Sequence, residues 1–543
     1  MSNYTLTVIE TSGIQNYIFG SNKLQHIIGA SHLVYEATHD RVYQILVDMQ
    51  STNIDKTEKR KTNSQQQIDK DMLNSELIYV GGGNVVILFK DKALAKTFTK
   101  QLTHKALTIA PNLRLTATHQ PINWQETGSL KQAIDEAFKA LGQKKAQGTP
   151  SVPLLGLGVT ATCQYTDLPA VDYDHEKNRI SAEILSKSNA TVVKRANNRL
   201  VNEVWPQDCP YKPTYRADLM GRSVHESSYL AVVHIDGNGV GKRIEALADK
   251  YGHDNREYLN QLRSFSEKLS DSSETSLQHL LSMLYEAVDP TGHTIGGKVK
   301  LSYTKDNNKN KTYYLPFRPL VFGGDDLTFI CDGRLALTLT VAYMEHYQQH
   351  LFPAKEDEDK PITTRAGVAI VKTHYPFAQA YNLAEDLAKN AKCYKDDNEW
   401  CTLDWHIAAT GSVLDIKAIR KREYTLSGDR KLSMRPIRVI GDGFDENSWR
   451  SWQDFEYIVT KFNDKKKWPR NKVKMLREVL RRGADDVKAF RLNFNQEKLL
   501  PNTDNLSRIS SFGETGWHGK DCAYFDPIEA LDFYVSLPKK EDV

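Results

Sequence analysis

The chain has 543 residues, enough for three or four domains at roughly 150 residues each. Its 40% hydrophobic and 26% charged residues exclude a collagen-like fibre, a wholly disordered chain and a membrane-spanning one. Net charge is only +4, so any nucleic-acid surface must be local. The N-terminus MSNYTLTVIETSG lacks the layout of a signal peptide, which predicts a cytoplasmic protein. Six cysteines (163, 209, 331, 393, 401 and 522) form no CxxC pair and fit neither a disulfide framework nor a complete zinc site.

In chain order, the strand-like TLTVIE ends at Glu10 and is followed by SGIQNYIFGSNKLQHIIGASHLVYEA, whose apolar spacing suits a helix. Residues 51–72 read as a mobile loop by composition. LIYVGGGNVVILFKDKALAKTF (78–99) then gives two short strands around a glycine turn and a helix; RLTATH and LKQAIDEAFKALGQKKA add a strand and a helix. Residues 151–228 are less regular, with a helical stretch ISAEILSKSNATVVKRANNRLV. There CQYTDLPA has Thr166 where a zinc knuckle would carry its second cysteine.

YLAVVHID restarts the pattern, ending at Asp236 before GNGVGKRIEALADK. PLVFGGDDLTFICDGRLALTLT (319–340), TRAGVAIVK and FAQAYNLAEDLAKNAK complete it, with loops read at 304–312 and 354–360. After about 413 the chain reads as helical and basic. The segment 461–482 is a solvated helix face, with RNA or partner binding as the alternative.

The order strand, helix, hairpin, helix, strand, helix thus occurs twice, which predicts a duplicated ferredoxin-like α+β unit. Overlaying the copies puts Gly81 and Gly82 on Gly323 and Gly324, Gly83 and Asn84 on Asp325 and Asp326, and Lys145 on Lys392. The predicted domains are 1–150, a helical insert 151–228, 229–412, and a helical C-terminal domain 413–543.

In a ferredoxin-like sheet the first strand lies beside the hairpin, so Asp236 should converge with Asp325 and Asp326. Three crowded carboxylates repel unless cations neutralise them, and hard oxygen ligands select Mg²⁺ or Mn²⁺, here as two ions. Gly323 and Gly324 would let a triphosphate approach the backbone. An exposed Gly-Gly-Asp-Asp turn without a ligand is the plain alternative. GNGVGK (237–242) fails both the GxxxxGK[ST] and GxGxxG spacings, which leaves Gly237, Asn238 and Gly239 as a turn that receives phosphates at a helix start, or as a structural turn. The first unit lacks the aspartate pair and is predicted to be non-catalytic, with Glu10 a structural or capping acid and a ligand contact as the alternative. His39-Asp40 and His253-Asp254 are isolated dipeptides without the further ligands that HD-type metal chemistry requires.

The two units, IDGNGVG, FGGDD and AGVAIVKTHYPFAQAYNLAEDLAKNAK together resemble the large polymerase/cyclase subunit of type III CRISPR effector complexes. SGIQNYIFGSNKLQHIIGASHLV is similar to that family's first palm domain, and the resemblance covers about 1–412. It implies a nucleotidyltransferase making a cyclic or linear oligonucleotide messenger from ATP, or another NTP, in antiviral defence. The catalytic second palm would use Asp236, Asp325 and Asp326, and the first would present an acceptor nucleotide at Gly82, Gly83 and Asn84. Lys392 lies where related palm enzymes hold a triphosphate, and His374 and Tyr375 either line the nucleotide pocket or pack a loop. Implied partners are guide or target RNA, CRISPR-type protein subunits and a downstream effector that reads the messenger, with no membrane. With no room upstream for an HD nuclease domain, an HD-less or stand-alone variant is expected. The alternatives are a catalytically silent scaffold that binds RNA or protein, and a diguanylate-cyclase-like enzyme working as a homodimer on GTP.

Overall fold

The computed structural model describes residues 3–55, 61–147, 158–220, 228–354, 358–392, 400–408, 415–440, 448–493 and 499–537. The boundaries expected at 150/151 and 412/413, the tip of the 354–360 segment and Cys393 lie outside them. No helix among the described residues is long and apolar enough to cross a membrane.

The first sheet contains β1 (Asn3–Ser12), β2 (Ser75–Gly81), β3 (Asn84–Phe89) and β4 (Arg114–Asn123), in the order β2-β3-β1-β4 with every pair antiparallel. That is the ferredoxin-like arrangement. β3 is apolar at almost every position because both its faces are covered: Val86 and Leu88 enter one core, while Val85, Ile87 and Phe89 enter another. Helices α1 (Ile14–Phe19), α2 (Leu24–Tyr35) and α3 (Arg41–Asp48) follow β1, α4 (Lys92–Ile109) follows the hairpin, and α5 (Ser129–Ala146) closes the unit. Asp91 caps α4 by accepting a bond from the Leu94 amide.

The second sheet repeats this plan with β5 (Tyr229–Gly237), β6 (Phe317–Val321), β7 (Leu327–Asp332) and β8 (Thr364–Lys372), in the order β6-β7-β5-β8. It then gains β9 (Cys401–Ala408), parallel to β8, and β10 (Ile437–Ile440), so its last strand lies beyond residue 412. Besides helices Trp452–Asn463 and Arg470–Leu480, the C-terminal region carries a small four-stranded sheet of two-residue strands. The insert supplies α6 (Ala182–Ser188) and α7 (Ala190–Glu203), capped by Ser181 and Asn189. Cys163 is buried and its sulfur accepts a bond from the Tyr165 amide at 3.4 Å; Thr166 meets the Ser181 hydroxyl at 3.3 Å.

Two loop readings are corrected. The described part of 51–72 is anchored: Asn53 is fully buried and bonds both backbone groups of Leu77 (3.1 and 2.8 Å), while Ile54 and Ile68 enter the cores. The 304–312 segment is a hairpin between strands Ser302–Lys305 and Lys311–Leu315.

In the second unit β5 leads into α8 (Val240–Tyr251) and the 32-residue α9 (Asn255–Glu286), while α10 (Ala336–Tyr347) and α11 (Phe377–Ala391) follow β7 and β8. α9 joins the two palms. Its Leu259, Leu262, Phe265 and Leu269 share one core with Leu6 and Val8 of β1. Its Arg263 and Arg256 reach Glu76 of β2, a fully buried carboxylate, at 2.8 and 2.7 Å.

Candidate active site between the two palms

β5 runs toward its C-terminal Asp236, and the β6–β7 turn carries Gly323, Gly324, Asp325 and Asp326 to the same edge, because Leu327 pairs with Ile235. One carboxylate oxygen from each of Asp236, Asp325 and Asp326 lies within 4.8 Å of the others. The convergence expected from the sequence is therefore present. Asp236 and Asp325 are half-buried; Asp326 keeps a solvent-facing side.

Burial raises the Asp325 carboxyl above its ordinary value, and the Asp236 charge adds to the effect. The Asp326 carboxyl is pushed well up, first by desolvation from the protein packed behind it, then by the charges of Asp325 and Asp236 and a hydrogen bond with Asp236. The donor set is all carboxylate, with three acids beside the single guanidinium of Arg365, and so suits a hard divalent cation. The folded chain thus binds more protons than the unfolded one, so stability falls as pH rises above the ordinary carboxyl value of 3.8 through the raised folded values. Without metal, the double variant Asp325→Asn, Asp326→Asn is expected to melt above the wild type at pH 7, with the gap closing toward pH 4. A gap independent of pH in thermal unfolding would show that the carboxylates are not strained by one another.

The turn glycines are required by shape. Gly323 and Gly324 take φ of 105° and 96°, a region side chains avoid, and a Cβ on Gly237 would stand 3.0 Å from that of Asp325. Asn238 is buried: its backbone amide donates to the Thr363 carbonyl (2.8 Å) and its side-chain nitrogen to the Thr363 hydroxyl (3.2 Å), while its side-chain oxygen has no partner among the described residues. Gly239, at φ 72°, starts α8.

The first palm presents its own turn to this edge. Gly82 and Gly83 have φ of 57° and 78°, and a Cβ on Gly324 would lie 4.0 Å from the Gly82 amide nitrogen. The two Gly-Gly turns therefore face each other across one chain. Cavities of about 290 and 190 Å³ open around them, the first reaching Asn84 and Asp325, the second Gly83, Asp325 and Asp326. A larger cavity of about 590 Å³ lies elsewhere, beside Trp205 and Gln278, and holds none of these carboxylates, so chemistry rather than volume identifies the site. Asn84 stands opposite Glu10 in register, and its buried side-chain oxygen has no partner among the described residues. Glu10 is ion-paired with Lys145 at the end of α5.

Lys392 follows α11, which runs antiparallel to β8 and so ends at the aspartate edge; its side chain is exposed. His374 and Tyr375 follow the far end of β8, whose Lys372 pairs with Tyr229 while its Thr364 pairs with Gly237 at the site. Neither lines the two cavities, and Tyr375 packs against a core; of the two readings, loop packing is the one that fits.

Several residues escaped the sequence reading. Arg365, directly across from Asp236 on β8, is ion-paired with it. Arg199 of the insert places its guanidinium 3.2 Å from the Tyr35 ring centroid and 4.3 Å from that of Phe322, while Tyr35 stacks on His39 at 4.3 Å. His39 thus lines both cavities as part of an aromatic wall. The spacing of Tyr35 and His39 on one helical face was a usable signal; nothing local marked Arg199.

A family model described as Cas10/Cmr2, second palm domain, matches residues 229–401. Among solved structures, a Csm1–Csm4 cassette in complex with pppApA aligns with TM-score 0.53 and 12% identity, over 98% of this chain and 69% of that one. The cassette with one ATP gives 0.51 and 11%, over 98% and 70%. With cA4 it gives 0.50 and 11%, over 98% and 69%. None of the curated proteins compared with the chain matches it. The resemblance to the type III CRISPR large subunit, read from FGGDD and AGVAIVK, stands on the second palm's own match and on the shared fold.

Proposed function

We propose, from the premise that residues 229–401 are a second palm domain of the Cas10/Cmr2 type, that the chain is a nucleotidyltransferase joining ATP units into an oligoadenylate messenger. The observation that carries this is the apposition, within one chain, of a turn whose two aspartates converge with Asp236 of the neighbouring strand and a second turn bearing no carboxylate. Joining two nucleotides requires the 3′-hydroxyl of one about 3–3.5 Å from the α-phosphorus of the other. The second palm would hold the donor triphosphate, with Gly323 and Gly324 admitting phosphates to the backbone, Gly237–Gly239 at the start of α8 and Lys392 supplying charge. That a lysine here can reach the edge is supported by Lys145, its counterpart, which bonds Glu10. The first palm, at Gly82, Gly83 and Asn84, would hold the acceptor, and the unpartnered Asn84 oxygen is free to accept a bond from it.

Asp236 and Asp325 would hold two Mg²⁺ or Mn²⁺ ions, with Asp326 assisting; the ions would supply activation of the hydroxyl and neutralisation of the leaving pyrophosphate. The acceptor oxygen forms a bond to the α-phosphorus while the bond to the β-phosphate oxygen breaks. The hydroxyl proton passes through Asp326, whose solvent-facing side lets it leave to water. The relatives' complexes with one ATP, pppApA and cA4 support this substrate and product class, and the Csm4 in those cassettes supports a CRISPR-type protein partner.

A silent scaffold has one observation in its favour, the Arg365 guanidinium already seated on Asp236. The test is incubation of the full chain with each labelled NTP and Mg²⁺, with products identified by mass spectrometry. The expected result is pyrophosphate and oligoadenylate from ATP, at a rate per chain independent of protein concentration. No product from any NTP would favour the scaffold; a rate per chain that climbs with concentration would favour the homodimeric cyclase.

A further inference from the structure

The two palms neutralise their strand-end acids differently. In the first, Glu10 faces Thr116 across β1·β4 and takes its counter-charge from Lys145 at the end of α5. In the second, the residue across from Asp236 is Arg365, whose guanidinium donates to Asp236 Oδ2, while Lys392, the counterpart of Lys145, stays exposed. Both members of the Arg365–Asp236 pair are only 21% exposed, so little solvent screens it. Among the described residues, Asp236 is thus the carboxylate of the three that gives an oxygen to an arginine, while one of its oxygens also lies within 4.8 Å of Asp325 and Asp326.

We propose that Arg365 is a built-in counter-ion that competes with divalent cations for Asp236 and thereby sets the metal affinity of the site, an inference that rests on the metal-site reading above. A cation entering among the three carboxylates takes up the negative charge that the guanidinium balances, and the two positive groups repel at such range. The arginine must then release Oδ2 and swing outward, as its partial exposure permits. In the metal-free state the same arginine keeps a cluster of like charges folded, which explains why a residue so placed does not mean a dead site. The first palm has no need of such a residue: with Gly83 and Asn84 in place of the aspartates, the turn beside Glu10 carries no like charge, and a lysine suffices.

The test is Mn²⁺ binding to the full chain without nucleotide, read as free Mn²⁺ by electron paramagnetic resonance. It compares wild type with Arg365→Gln and Arg365→Lys, and uses Asp325→Ala with Asp326→Ala as the control; circular dichroism checks each fold. Arg365→Gln is expected to tighten Mn²⁺ binding by about tenfold or more, since a half-buried charge contact is worth at least that factor, with Arg365→Lys between it and wild type. If wild type binds Mn²⁺, the double alanine control loses it, and Arg365→Gln binds no tighter, the counter-ion role is wrong while the metal site stands. If neither wild type nor Arg365→Gln binds Mn²⁺, both fall. Should Arg365→Gln misfold, the Lys variant decides: affinity equal to or weaker than wild type overturns the proposal.

Discussion

Replacing Asp325 and Asp326 together by alanine is expected to lower oligonucleotide formation from ATP by about a thousandfold or more while the chain stays folded. The size follows from the cations these carboxylates would hold at the reacting phosphate: loss of several kcal/mol of transition-state stabilisation, at about 1.4 kcal/mol per factor of ten, gives three decades or more. The fold should survive because the pair sits on a turn with Asp326 solvent-facing, and because removing two of three mutually repelling carboxylates relieves the strain that raises them. Rates by product quantitation, together with unfolding midpoints, check both halves of the statement. Wild-type product formation by the double variant would remove the aspartates from the chemistry and with them the proposed function.

The second large effect is on stability and concerns the clasp between the palms. Glu76 of β2 is fully buried and accepts bonds from Arg263 (2.8 Å), Arg256 (2.7 and 3.2 Å) and the Ile68 amide (2.9 Å); Arg256 also bonds Asp69. Both arginines belong to α9, which with α8 follows strand β5 and its Asp236, so Glu76 ties the first sheet to the second palm. Glu76→Ala would leave Arg263 buried without its counter-charge, and breaking a buried pair from one side costs about 3–5 kcal/mol. Denaturant unfolding should show a loss of that size, and product formation should fall with it, because the two Gly-Gly turns are held in register by this docking. Replacing Arg263 by methionine in the Glu76→Ala background should recover part of the loss, since it removes the stranded charge. A loss under about 0.5 kcal/mol, the range of an ordinary surface substitution, would mean that the apolar contacts of α9 dock the palms unaided.

The duplicated order of elements, the two glycine turns and the converging acids were all legible in the sequence, for physical reasons. Strands β3 and β5 are marked by apolar runs, the turns by Gly81–Gly83 and Gly323–Gly324, and the acids by their places at a strand end and a hairpin tip, which the strand order of a ferredoxin-like unit sets side by side. Composition was a poor guide where one buried polar residue does the anchoring, as Asn53 does within an otherwise hydrophilic 51–72.

What the tertiary structure decided is which groups face one another across elements. The Arg365–Asp236 pair depends on the register of β8 against β5, and a shift of one residue would send Arg365 to the other face of the sheet. Placing Arg199 between Tyr35 and Phe322 brings three distant segments together, and the facing of the two Gly-Gly turns, close enough that a Cβ on Gly324 would lie 4.0 Å from the Gly82 nitrogen, depends on how α9 docks on β2. Alternation and turn chemistry are properties of a few neighbouring residues and can be read along the chain. Partners across a sheet or between two palms are chosen by packing and charge over the whole molecule, so the sequence by itself determined the two halves and their acids, and only the fold decided what each acid meets.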